Sequence, residues 1–323
     1  MAHGTSPSER QAAAPHHAPA GAEAWRPRPL KEALVASCGA IEETISTLLT
    51  PVQGEEAVLI EAMRYAALGG GKRLRGFLVL EGAGLLGAPR QSALRAAASV
   101  EFLHAYSLVH DDLPAMDDDD LRRGQPSTHK KFGEAMAILA GDALQTEAFS
   151  VILDPAMDLP ADVRAALALA LAQASGAAGM VGGQVIDIEG EGKALSLPQV
   201  TRLHALKTGA LIRYAAEAGA ILAGLPENDP KRAALRAYGA DMGTAFQIAD
   251  DVLDSTASTE VLGKTAGKDE NADKSNYVAL LGIEGAASAA RDYSDRAKKA
   301  LAVFGPEADT LRTLADYFVE RRN

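Results

Sequence analysis

The sequence predicts an all-α protein, and three observations lead there. Apolar residues make up 47% of the 323-residue chain while aromatics supply only 5%, so alanine and leucine must do most of the packing. Side chains of that kind suit closely approaching helices better than pleated strands. Apolar positions recur with a helical period in segment after segment, and no run shows the alternation of a half-buried strand. Proline, asparagine and glycine mark the breaks between these segments.

Residues 1–29 are rich in Ala, Pro and His and lack a continuous apolar stretch. They read as a disordered tail without a secretory signal, followed by one domain over 30–323. The first helix runs from Leu30 to Thr50 and stops at Pro51, whose ring cannot continue it. A second runs from Glu55 to Leu68 and ends at Gly69-Gly70-Gly71, where backbone freedom disfavours helix. Leu74 to Leu86, Ser92 to Asp112 and Gly133 to Leu153 continue the pattern, and further helices begin at Ala161, Pro198, Pro230 and Ala286. The longest uncharged run, Ala165 to Ile186, has the length of a membrane span. Its Gln173, Ser175, Gln184 and glycines make a buried helix the expectation instead, with no membrane span. No repeat of fixed period is present.

The net charge of −11 argues against nucleic acid or an anionic membrane as the general partner. A single cysteine, Cys38, excludes an internal disulfide framework. It fits a reducing, cytoplasmic compartment and a buried structural role.

Two aspartate clusters stand out: Asp111-Asp112-Leu113-Pro114-Ala115-Met116-Asp117 and Asp250-Asp251-Val252-Leu253-Asp254. Crowded carboxylates repel, so each cluster is costly unless a cation or solvent screens it. In the first, His104, Leu108 and Asp112 share a helical stripe. Pro114 ends the helix, so that Asp117 can turn back towards Asp111. The helix C-terminus is itself electronegative and increases the need for a cation. EF-hand spacing is absent. In the second cluster Gln247, Asp250, Asp251 and Asp254 fall at i, i+3, i+4 and i+7, which places an amide and three carboxylates on one face.

Basic groups complete the pattern. Gly69-Gly70-Gly71-Lys72-Arg73-Leu74-Arg75 leads into a helix with backbone amides and cationic side chains suited to an anion. Arg122 and Arg123 follow the first cluster and point in different directions, so each could face one of two phosphorylated ligands. Lys207-Thr208-Gly209 is a small step within a helix that can aim a carbonyl and a hydroxyl into a cavity. The polar segment Val261 to Asn276 has the composition of a lid over bound phosphate. Carboxylates and cations together suggest Mg²⁺ bridging protein to a phosphorylated substrate.

The segment from Ser107 to Gly124 resembles the first aspartate-rich motif of the trans-prenyltransferases, the polyprenyl synthase family, and Phe246 to Asp254 resembles the second. Gly70 to Arg75, Gly182 to Asp187, Lys207 to Gly209 and Gly263-Lys264 match further motifs of that family in order, over residues 30 to 323. The resemblance implies an isoprenoid synthase fold, helices around a central cavity, and a homodimer. It implies head-to-tail condensation of isopentenyl diphosphate with an allylic diphosphate, dimethylallyl or geranyl. It also implies three Mg²⁺ ions (Mn²⁺ as a substitute) ligated by Asp111, Asp117 and Asp250, with Asp112, Asp251 and Asp254 near or supporting. By the same resemblance Arg122, Lys207 and Lys264 grip the allylic diphosphate, while Lys72, Arg75, His104 and Arg123 hold isopentenyl diphosphate. Thr208 and Gln247 line the reacting centre, where their dipoles face the developing cation.

Tyr106 and Ser107 precede Asp111 by one helical turn, roughly 6–8 Å down the axis. A product tail growing along this helix would meet Tyr106. With Pro114-Ala115 inside the first motif, this resembles the bacterial C15-forming type and implies farnesyl diphosphate as product. Geranylgeranyl or geranyl diphosphate synthase keeps the same motifs with a different cavity depth and is the alternative, and a non-catalytic partner subunit is a third reading. Three positions depart from the family pattern: Gly76 stands where Pro is common, Ala249 where a polar residue is common, and Asn276-Tyr277-Val278 replaces Thr-Tyr-Pro.

Overall fold

A computed structural model describes residues 25–256 and 275–320. Its helices, in chain order, begin with α1 (Leu30–Leu48), α2 (Ala57–Leu68), α3 (Leu74–Leu85) and α4 (Arg90–Asp111). The short α5 (Thr128–Phe132) leads to α6 (Glu134–Leu153), α7 (Ala161–Ser175) and α8 (Met180–Gly190). Then come α9 (Leu197–Lys207), α10 (Gly209–Leu222), α11 (Pro230–Thr256), α12 (Tyr277–Ala300) and α13 (Asp309–Glu320). The all-α expectation holds.

At the centre, α3 packs between α4 and α10, α10 against α11, and α11 along α12, while α6 covers α4 on the other side. Residues Gly76 to Ala83 of α3 are all buried, as is nearly all of α10. Small residues make this possible. A β-carbon on Gly219 would lie 2.2 Å from the Gly82 carbonyl carbon, so the backbones of α10 and α3 touch where no side chain fits. A smaller cluster of Val200, Ile248, Tyr277, Ala286 and Ala290 joins α9, α11 and α12.

Three sequence expectations are corrected. A two-residue antiparallel ladder pairs Leu121–Arg122 (β1) with Gln125–Pro126 (β2); strands this short leave no alternation to detect. A short helical segment that the sequence did not signal begins at Tyr277, where the Asn276 side chain accepts from Ala279 N at 2.8 Å and caps it. Gly282 (φ 71°) kinks the chain, and the long run to Ala300 follows, starting a little before the expected Ala286. The run Ala165 to Ile186 is not one buried helix: α7 ends at Ser175, a turn through Gly176 and Gly179 intervenes, and α8 follows. Leu169 on α7 and Val181, Val185 and Ile188 on α8 are exposed. Glu134–Leu153 and the broken stretch 161–190 are long and apolar enough to cross a membrane, by length and composition only.

Residues 25–29, which the sequence assigns to the tail, lie against α3 and α13. The Trp25 ring fills the space beside Gly84. Arg28 N donates to Thr310 Oγ1 at 3.0 Å, and Arg28 Nη2 donates to Glu81 Oε1 at 2.9 Å. Glu81 is only 1% exposed, and burial pushes its carboxyl above the usual range although Arg28 opposes that. Arg28→Ala should therefore destabilise the protein by about 1–3 kcal/mol through an uncompensated buried carboxylate. Urea unfolding checks this, and adding Glu81→Gln should restore part of the loss. An unchanged midpoint in Arg28→Ala would show that the strap adds nothing to stability.

Candidate active site

The first cluster forms where α4 stops. Asp111 is its last residue, and Pro114 diverts the chain so that Asp117 N donates to the Asp111 carbonyl at 2.9 Å. The predicted return of Asp117 therefore occurs. The two adjacent aspartates divide their roles. Asp112 is 2% exposed and accepts from Arg122 Nε at 3.1 and 3.2 Å, with Arg122 Nη2 on the same carboxylate. Asp111 is half-buried, and its carboxyl is pushed up to about 6. Burial is the main cause; Lys207 and Arg122 oppose it, while Asp117 and Asp112 add to it.

The Arg122–Arg123 pair is aimed by the hairpin. Arg123 and Gly124 both have positive φ, 53° and 75°, the primed turn that suits a two-residue connection. Arg122 consequently turns to Asp112, while Arg123 reaches the Gly70 carbonyl and lies against Gly71. The expected divergence of the two guanidiniums is present.

The second cluster repeats the division. On α11, Asp251 is buried; its Oδ2 accepts from Tyr277 N at 3.0 Å and its Oδ1 from Gln247 Nε2 at 3.4 Å. Burial is the largest influence and pushes its carboxyl to about 7, against those two hydrogen bonds and with help from Asp250 and Asp254. Asp250 is half-buried and Asp254 exposed. Gln247 Oε1 accepts from Thr208 Oγ1 at 2.9 Å, so a hydrogen-bonded line runs from Thr208 through Gln247 and Asp251 to the start of α12. Thr208 is the break between α9 and α10, as expected. Lys207 Nζ donates to Asp187 Oδ2 at 2.5 Å.

The basic residues line a cavity of about 400 Å³ bounded by Lys72, Arg73, Arg75, His104 and Arg123 and walled by Phe246, Leu314, Tyr317 and Phe318. Arg75 Nε is buried without a hydrogen-bond partner. Burial above all, and Arg123 as well, push its pKa below the usual arginine range, with Glu101 and Asp250 opposing. The His104 imidazole is held neutral, well below its usual range, by burial and then by Arg75, Arg123, Arg122 and Arg73. Lys72 Nζ contacts the Tyr317 hydroxyl at 3.4 Å and lies over its ring. Crowded cations around an orphaned donor form a receptor for an anion.

Arg73, between Lys72 and Arg75, borders the cavity but is committed to acids. It is buried at φ 47° and pairs with Glu42 and Glu101. Glu101 Oε1 also accepts from Gly76 N at 2.8 Å, a bond that a proline at 76 could not make. The departure at Gly76 thus has a local counterpart. Sequence reading missed Glu101, although an acid within the apolar run Ser99-Val100-Glu101-Phe102-Leu103 was a signal. It also missed Asp118, Asp120 and His129, whose ligand atoms lie within 4.8 Å of one another, with Asp120 paired to Lys130 at 2.7 Å. Tyr106 is buried, edge-on to His110 with ring centroids 5.6 Å apart, and Ser107 Oγ donates to the His104 carbonyl. Lys264, most of the segment Val261 to Asn276, and Arg321 and Arg322 lie outside the described residues.

The oxygen donors Asp111, Asp117 and Asp250 suit a hard divalent cation. The raised Asp111 carboxyl marks a place short of positive charge.

A family model described as Polyprenyl synthetase matches residues 56–303. The farnesyl diphosphate synthase of Escherichia coli K12 is 48% identical over 286 residues, covering 86% of this chain and 94% of that protein. The farnesyl diphosphate synthase of Micrococcus luteus is 44% identical over 275 residues, covering 85% and 93%. Among solved structures, an apo FPP/GFPP synthase from Zymomonas mobilis superposes with a TM-score of 0.81 at 43% identity, covering 90% of this chain and 98% of that one. A geranylgeranyl pyrophosphate synthetase from Pyrococcus horikoshii also gives 0.81, at 31% identity, covering 90% and 99%.

The Asp111 geometry carries a pH prediction. Burial raises its folded-state value from 3.8 to about 6, so its penalty is complete above that pH and shrinks towards pH 4. Asp111→Asn should stabilise the metal-free protein by about 1–2 kcal/mol at pH 8, after discounting for partial exposure, and by roughly half that at pH 5. Thermal melts at the two pH values check it; destabilisation at pH 8 would remove the burial argument.

Proposed function

The chain belongs to the polyprenyl synthetase family and is a prenyltransferase, and from that premise we propose that it makes farnesyl diphosphate. Isopentenyl diphosphate condenses head-to-tail, first with dimethylallyl and then with geranyl diphosphate. The observation that carries this reading is the pairing of two aspartate clusters with a separate basic cavity. One face serves a leaving diphosphate, the other a diphosphate that is retained.

Asp111, Asp117 and Asp250 would hold Mg²⁺, which when bound would supply Lewis-acid neutralisation of the leaving group. The remaining work falls to the chain. Arg122, anchored on Asp112, and Lys207 hold the allylic diphosphate, with Lys264 assigned to the same group. Lys72, Arg75 and Arg123 hold isopentenyl diphosphate, and neutral His104 donates a hydrogen bond without adding repulsion. Thr208 and Gln247, fixed to one another at 2.9 Å, turn preorganised dipoles towards the developing allylic cation. The new carbon–carbon bond leaves a tertiary cation, and the departed diphosphate accepts the proton whose loss forms the product's double bond. Phe246 and Phe318, edge-on at 5.0 Å, help wall the isopentenyl side against water, which would otherwise quench the cation.

Tyr106 lies one turn before Asp111 and is buried, which supports it as the floor that stops growth at C15. The exposed stripe Val181, Val185 and Ile188 on α8, with Ile138 and Leu139 on α6, supports a homodimer that covers these side chains. Light scattering should then give twice the 33.6 kDa chain mass.

The direct test is product chromatography after incubation with Mg²⁺, isopentenyl diphosphate and dimethylallyl diphosphate. A C15 product that disappears with EDTA is expected, and Tyr106→Ala should shift products to C20 or longer. A C20 product from the unmodified chain would discard the Tyr106 floor and favour geranylgeranyl diphosphate synthesis. No condensation with any allylic starter would leave the partner-subunit reading.

A further inference from the structure

We propose that Asp187 is a positioning residue for Lys207, fixing the lysine ammonium before the allylic diphosphate arrives; this rests on the prenyltransferase reading above. The segment Gly182 to Asp187 matches a family motif, yet none of the roles assigned so far falls on it. Its place in the fold supplies one.

Helices α8 and α9 meet at a point of backbone contact. A β-carbon on Gly183 would lie 2.2 Å from Lys207 N and 2.5 Å from Lys207 Cα, so only glycine permits the approach. Asp187 stands one turn further along α8, on the face that carries Gly183. Its Oδ2 accepts from Lys207 Nζ at 2.5 Å, with both side chains largely covered, 16% and 27% exposed. Gly183 therefore sets how near the lysine backbone comes, and Asp187 sets where its side chain ends.

Two neighbours bear on the pair. Lys207 is also within electrostatic reach of Asp111 in the first cluster. His204 lies one turn before Lys207 on α9 and also feels Asp187. Burial keeps it neutral, with its value near 4, so it does not compete as a cation for the carboxylate. A lysine stem has four rotatable bonds and loses much freedom when its ammonium is fixed. With Asp187 in place, that loss is incurred in the free enzyme rather than on binding.

The experiment compares wild type with Asp187→Asn, Asp187→Glu, Lys207→Ala and the Asp187→Asn/Lys207→Ala double variant. Steady-state rates are measured with dimethylallyl and isopentenyl diphosphate varied in turn. Calorimetric titration with dimethylallyl diphosphate and Mg²⁺, without isopentenyl diphosphate, reads binding independently of turnover. Asp187→Asn should weaken dimethylallyl diphosphate by about tenfold in KM and in Kd, with the isopentenyl KM within about twofold. Asp187→Glu, which keeps the charge, should recover most of that loss. In the Lys207→Ala background, Asp187→Asn should add less than about twofold, because both act through one ammonium. A fall in the dimethylallyl KM would mean that Asp187 competes for Lys207, and would overturn the proposal. So would equal changes for both substrates, additivity with Lys207→Ala, or loss of folding by circular dichroism. A wild-type chain that binds dimethylallyl diphosphate without condensing it would overturn the proposed function while the titration still judged Asp187.

Discussion

Four carboxylates in two adjacent pairs, Asp111–Asp112 and Asp250–Asp251, must be held close without repelling the fold apart, and much of the site follows from how this is met. Both pairs use the same division. The second member is buried and accepts fixed hydrogen bonds, Asp112 from Arg122 and Asp251 from Tyr277 N and Gln247. The first member of each pair, Asp111 or Asp250, stays half-buried at the edge of the site. Each buried aspartate also ties down another element: Asp112 holds the hairpin that carries Arg122 and Arg123, and Asp251 holds the first residue of α12.

The mirror problem, crowded cations, is solved beside it. Lys72, Arg73, Arg75 and Arg123 sit within one short stretch and its neighbouring hairpin. Arg73 borders the cavity at a left-handed backbone position, and the paired acids Glu42 and Glu101 offset its charge. His104 is neutral, so it adds a hydrogen-bonding group and no charge. Glu101 serves both purposes, because it pairs Arg73 and accepts from the first turn of α3 through Gly76 N. With Arg73 offset by its acids, Arg75, Arg123 and Lys72 remain for an anion.

The scaffold that holds these groups relies on small residues and on contacts distant in sequence. Backbone contact at Gly82–Gly219 lets α3 and α10 pack at the centre, and Gly183 lets α8 meet α9 beside Lys207. The strap at 25–29 links α3 to the start of α13, the helix whose Tyr317 and Phe318 wall the basic cavity. A strap outside the site thus bears on it through a helix it anchors.

The sequence by itself determined whatever depends on neighbours along the chain. Helical periodicity and the breaks at Pro51, Gly69 and Thr208 are local, and so is the one-face placement of Gln247, Asp250, Asp251 and Asp254. The return of Asp117 after Pro114 was equally legible. Which partner each charged group takes was not. Asp251 meets Tyr277, Glu101 meets Gly76, Asp187 meets Lys207 and Glu81 meets Arg28, at separations of 26, 25, 20 and 53 residues. Those choices belong to helix packing, because a side chain's partner is set by what a neighbouring helix presents at that height. No local pattern encodes that height. The division between Asp111 and Asp112 came from the family resemblance and not from local pattern: adjacent identical residues on one helix end differ only in what the rest of the fold places beside them.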